Sequence, residues 1–235
     1  MAVRALDDSQ CRAAKYAAVA YLISFVTVVL VNFGIFARLI VRGNPAETAR
    51  NILAHETLFR IGIVGDLVYC MGVVVLLTAL YVILKPVDQN LALLAAFGRL
   101  VYAVVWALVP LNLFTAVRLL SGADYARAFG PDQLPVLARL YLTGFDQYYV
   151  GLLFWSLAST ICAYLWFKSG YVPRALAAFG LLGSAWCAAC TVALFIFPTF
   201  PTIVNLWWFD TPMALFELAL SFLLLFKGLQ TPLAA

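Results

Sequence analysis

Six continuous apolar stretches, each about 20 residues long, recur through the chain and leave little choice of fold. A helix rises about 1.5 Å per residue, so a run of that length matches the roughly 30 Å hydrocarbon core of a bilayer. The runs lie at about 16–37, 61–84, 91–116, 148–167, 175–197 and 203–226, the last beginning at either Ile203 or Pro212. A membrane β-barrel would instead alternate apolar and polar residues in segments of about 10. The expectation is an all-α, polytopic transmembrane helix bundle of about six spans, forming one integral membrane domain over residues 1–235.

Composition agrees. The chain is 65% hydrophobic and 11% charged, against about 25% charged in a soluble domain. That apolar surplus is too large for a soluble core, so hydrocarbon is the expected surroundings. The net charge of +4 is scattered, with no basic stripe of the kind that binds nucleic acid. The N-terminus reads as no cleavable signal peptide, because Arg4, Asp7, Asp8, Arg12 and Lys15 lead directly into a stretch of full spanning length.

The connections are of two kinds. Residues 85–90 and 168–174 read as tight turns, whereas 38–60 and 117–147 read as long loops on the opposite side. Each long loop holds a candidate surface helix, 46–58 and 132–142, with Pro45 and Pro131 placed to start them. A cytoplasmic N-terminus puts Arg4, Arg12, Lys15, Lys85, Lys168, Arg174 and Lys227 inside. It leaves Arg38, Arg42, Arg50, Arg118, Arg127 and Arg139 outside. The lysines and the short loops favour both termini inside. The tract 199–209, free of Lys and Arg and carrying Trp207 and Trp208, then reads as an external aromatic belt.

Ionisable groups within a span cost a few kcal/mol each, so each asks for a partner or a role. Arg99 lies nine residues beyond Asn90, and Glu217 ten residues before Lys227. Those separations put them roughly 13 and 15 Å from the same face. They are expected to pair between spans three and six. Asp66, 19 residues before Lys85, sits roughly 28 Å up, near the outer interface. Asn32 lies at nearly its height, and Asn112 and Asp146 fall close to the same layer. Asp66, Asn32, Asn112 and Asp146 therefore form a candidate ligand site. Arg60, six residues from Asp66, falls on a different helix face and is expected to reach headgroups or outer loops.

Other motifs carry less. Cys187 and Cys190 form a CxxC, but deep in an apolar span a thiol stays protonated and inert. His55 is the single histidine, so no metal or haem site is expected. No G-x-S-x-G elbow, Walker motif or dinucleotide fingerprint is present, and no cofactor is expected. Leu94-Ala95-Ala96-Phe97-Gly98 recurs as Leu176-Ala177-Ala178-Phe179-Gly180, each after a Lys-bearing turn, which hints at two parallel repeats.

Several polar phrases hold fixed places between the apolar runs: Phe59-Arg60-Ile61-Gly62-Ile63 with Asp66, Leu84 to Ala92 running into Arg99, Leu120 to Tyr125, and Lys168 to Arg174. With these the chain resembles a bacterial multi-pass membrane family catalogued as a domain of unknown function, of the DUF4386 type. The resemblance covers nearly the whole chain and implies a bacterial inner-membrane location. It supplies no activity. The family's span-four phrase often continues into a histidine; here Gly151 to Ala158 contains none, so no histidine role carries over.

Three functions compete. The residues favour a non-enzymatic membrane protein that binds a lipid or small amphiphile, or serves as a subunit of a membrane complex with protein partners. A small transporter using the Arg99–Glu217 pair is the second, with Pro110 as its candidate helix break. The third is a membrane-embedded enzyme acting on a lipid, with Asp66 as its acid or base. A lone carboxylate without a second base or a metal makes that reading the weakest.

Overall fold

The apolar runs all become helices, most of them longer than hydropathy alone marks. The computed structural model describes residues 6–41, 43–122, 130, 133–142 and 147–230, the side chains of residues 147, 206 and 207 excepted. Among the described residues, six helices are long and apolar enough to cross a membrane. We number the helices α1 (Asp8–Leu39), α2 (Pro45–Ala54), α3 (Glu56–Leu84), α4 (Gln89–Leu120), α5 (Gln133–Leu142), α6 (Gln147–Ser169), α7 (Arg174–Ile196), α8 (Phe200–Ile203) and α9 (Leu206–Phe226). In each spanning helix only 28% to 56% of the apolar window is buried in the protein. Large apolar side chains such as Met71, Leu182 and Phe226 point outward. Water would penalise that surface heavily; lipid tails do not.

The chain divides into two compact units. The first collects residues 1–23, 72–103 and 149–235, the second residues 24–71 and 104–148.

The first unit is tied together at one rim by polar contacts. α1 begins at Asp8, eight residues before the apolar run, because Asp7 caps it by accepting the Gln10 N–H at 2.8 Å. Gln10 is buried and donates to the Ile83 carbonyl at 2.9 Å and to the Tyr171 hydroxyl at 3.3 Å. Asp88 starts α4 in the same way, accepting from the Leu91 N–H at 3.1 Å. The last span starts at neither Ile203 nor Pro212. Val204 is extended, Asn205 precedes the first turn, and α9 runs from Leu206 through Pro212. Proline has no N–H for the carbonyl four residues back, and the Trp186 indole donates to that Trp208 carbonyl at 3.4 Å instead. Gly183 lets α7 come close at this point, since a Cβ there would lie 3.2 Å from the Pro212 carbonyl carbon.

The second unit packs around Phe36, Ile52, Phe59, Leu113, Val117, Ala138 and Leu142, drawn from five helices. α2 and α5 pack on each other within it. They stand where the two surface helices were expected, the first at Pro45–Ala54 rather than 46–58 and the second described over Gln133–Leu142. Pro45 opens α2 and Asn44 caps it, its side chain accepting the Glu47 N–H at 3.1 Å and donating to the Glu47 carboxylate at 2.9 Å. α1 switches to π-helical winding over Leu30–Phe36. That segment lies on a glycine face of α3. A Cβ on Gly62 would meet the Phe36 ring at 2.6 Å, and one on Gly65 would meet Val31. Small residues permit such close approach between membrane helices.

Candidate functional site

Among the described residues, each unit holds one buried ionisable constellation. In the first, Arg99 of α4 is 1% exposed. Gly98 beside it lets α4 approach α6, where an added Cβ would sit 3.2 Å from the Ala158 Cβ. The same stretch of α6 presents Trp155 and Ser159, four residues apart and so on one face. Arg99 Nη2 donates to Ser159 Oγ at 3.0 Å, Glu217 Oε1 at 3.2 Å and Tyr21 Oη at 3.3 Å. Ser159 donates in turn to Glu217 Oε1 at 2.8 Å. The guanidinium lies 4.2 Å over the Trp155 ring, a cation–π contact in a dry setting. Arg99 and Glu217 are thus brought together, with α1, α4, α6 and α9 cross-linked around them. Tyr21, Trp155 and Ser159 are the partners that the sequence reading missed. The unit has a charge matched by a countercharge.

Asp66 in the second unit is different. It is 1% exposed, and neither carboxyl oxygen completes a hydrogen bond. The Trp106 indole N–H lies beside the carboxyl. Tyr69, three residues on, shares the Asp66 face of α3. Its ring packs at 4.8 Å on Trp106, which in turn meets Tyr148 edge-on at 5.5 Å. Arg60 does not reach the carboxylate. It is bound 2.7 Å from Glu56, one turn back, with its guanidinium over Phe114, and Ser121 holds the other Glu56 oxygen at 3.2 Å.

The companions expected for Asp66 fare unevenly. Asn32 spends its amide N–H on the Val28 carbonyl of its own helix at 2.9 Å, within the π-helical segment. Asn112 is half-buried on α4, six residues beyond Trp106 and so about 240° round the helix from it. Neither bonds Asp66. Asp146 lies outside the described residues. Among the described residues, the Trp106 indole and Cys70 lie nearest the carboxylate in place of Asn32 and Asn112. Tyr69 and Cys70, at three and four residues' spacing, were the local signals; Trp106 and Tyr148 arrive through helix packing.

Cys162, Cys187 and Cys190 are buried free thiols, and the Cys187 carbonyl accepts from Thr191 at 2.8 Å. Among the described residues no three His, Cys, Asp or Glu side chains converge as a metal site would require.

The model of the family described as Domain of unknown function (DUF4386) matches residues 16–228, from the first spanning helix to the end of the last. The chain belongs to the DUF4386 family. The match encloses both the Arg99 and the Asp66 constellations, so both lie within the DUF4386 domain. No curated protein and no solved structure matches the chain. What this DUF4386 protein does must be argued from its own residues.

Proposed function

We propose that this integral membrane protein binds a lipid or small amphiphile without transforming it, and that Asp66 anchors the ligand. The observation that carries the reading is a carboxyl 1% exposed whose oxygens complete no well-aligned hydrogen bond, with the Trp106 indole N–H beside them. An uncompensated buried polar group costs several kcal/mol, and within a membrane such a group marks a functional site by default. The Arg99 constellation supports a structural role instead, because its charge is matched on the spot. The transport reading draws less support, since α4 runs unbroken through Pro110. The enzyme reading draws less support, since the Trp106 indole set beside Asp66 is neither an acid nor a base. The resemblance and the lysine distribution support a bacterial inner membrane with both termini in the cytoplasm. Membrane lipids are then the first partners, and protein partners in a larger assembly a further one.

Native mass spectrometry of the protein extracted gently from its own membrane tests this, comparing wild type with Asp66→Asn and Arg99→Gln. A defined lipid or small molecule should co-purify with wild type and with Arg99→Gln protein that stays folded, and be lost in Asp66→Asn. Equal retention in the Asp66→Asn protein would overturn the assignment of the anchor.

A further inference from the structure

We propose that the outward face of α1 in the first unit binds an anionic phospholipid, with Arg12 and Lys15 on its phosphate and one acyl chain along Val19 and Ile23. This place is separate from Asp66, and the proposal does not depend on the reading given to that carboxyl.

The face is fixed in phase. Gln10 is buried and donates to the Ile83 carbonyl at 2.9 Å and to the Tyr171 hydroxyl at 3.3 Å. Ala13, Ala14, Ala17 and Ala18 follow it into the protein, small side chains of the kind that let membrane helices pack closely. The first turns of α1 are therefore held against rotation, and what they turn outward stays outward. At about 100° per residue, Asp8, Arg12, Lys15, Tyr16, Val19 and Ile23 fall within one arc of about 100°. All six are exposed.

The order along that arc is the order of a phospholipid. The apolar run begins at Tyr16, and Lys15 and Arg12 stand roughly 2 and 6 Å outside it along the axis. That is the level of the head groups, which long basic side chains reach while their stems stay on apolar surface. Tyr16 sits at the boundary, where tyrosine is enriched. Val19 and Ile23, roughly 5 and 11 Å further in, offer an apolar edge to a chain.

Charge selects the lipid. One carboxylate, Asp8, against two cations leaves the stripe a single positive charge, which one phosphodiester with an uncharged head group balances. A zwitterionic head brings its own ammonium and forfeits that gain. Asp7 lies off the arc, its Oδ1 accepting from Ser9 at 2.7 Å and from the Gln10 N–H at 2.8 Å. Lys168, by contrast, shares its charge with Asp88 at 3.8 Å.

The test is native mass spectrometry of the full chain in neutral maltoside micelles. The lipids are equimolar dioleoyl-phosphatidylglycerol, -ethanolamine and -choline, which differ in mass and in head group alone. Wild type should retain the glycerol lipid over the other two. Arg12→Gln/Lys15→Gln should lower that preference at least tenfold, about 1.4 kcal/mol, in line with the attraction of each basic side chain to anionic lipid. Arg12→Lys/Lys15→Arg should keep it, and Asp8→Asn should raise it.

The control Arg174→Gln/Lys227→Gln removes two other exposed cations and should change nothing. An equal loss there overturns the site and leaves only general attraction to a basic protein. Absence of any preference in wild type overturns the lipid class. A loss in Asp66→Asn instead would assign the lipid to that carboxyl and overturn the α1 site. If Arg12→Gln/Lys15→Gln fails to fold, Asp8→Asn decides, and an unchanged preference in it overturns the proposal.

Discussion

At the scale of single residues, the two buried ionisable sites among the described residues obey opposite logics. Arg99 and Glu217 are taken out of water together, and their attraction is supplemented by Ser159, Tyr21 and the Trp155 face. Such a pair adds little net stability over well-packed apolar residues, yet losing one partner strands the other charge at a cost of about 3–5 kcal/mol. Arg99→Gln and Glu217→Gln should therefore each lower the unfolding midpoint in micelles sharply. The double variant Arg99→Met/Glu217→Met should recover most of the loss. If the double variant is as unstable as the sum of the single ones, the hydrogen bonds of the pair matter more than its charge balance. This contact was within reach of the sequence, because residue counts from the two turns put both groups at one height. Their other partners were not, since helical phase between spans is set by packing. Asp66 was equally visible as a costly residue, but the Trp106 indole beside it was hidden for the same reason.

Among the elements, close approach is decided by glycines. The echoed phrases ending at Gly98 and Gly180 place both glycines at helix contacts, Gly98 against Ala158 of α6 and Gly180 against Phe216 of α9. A Cβ on Gly180 would fall within about 2.5 Å of three Phe216 ring atoms, and that ring is 1% exposed with nowhere to swing. Gly180→Ala should cost about 1–3 kcal/mol by overpacking, measured as a lower unfolding temperature. Gly34→Ala, where nothing lies within 4 Å of the added carbon, should leave stability nearly unchanged; equal losses would show the effect to be general to glycine. Hydropathy located every spanning helix but misjudged the ends. It could not see that Gln10 would be buried against α3 and the turn between α6 and α7, extending α1 to Asp8. Nor could it see that a proline seven residues into α9 would be tolerated because Trp186 serves the carbonyl it leaves open.

For the molecule as a whole, the distribution of charge carries the remaining question, which is direction. All four lysines, Lys15, Lys85, Lys168 and Lys227, belong to the first unit, and the second carries arginine alone. Lys168 and Asp88 stand 3.8 Å apart, so the two tight turns share one end of that unit. Short loops bearing lysine stay in the cytoplasm under the positive-inside rule, and an even number of spans returns the C-terminus to the side of the N-terminus. The protein carries its own probe of this arrangement. Cys11 is exposed, whereas Cys162, Cys187 and Cys190 are buried and Cys70 is partly so. A membrane-impermeant maleimide should leave Cys11 unlabelled in intact cells and label it in inside-out vesicles. In a Cys11→Ser background, His55→Cys, at an exposed position between α2 and α3, should show the reverse. Labelling of Cys11 from outside would invert the topology.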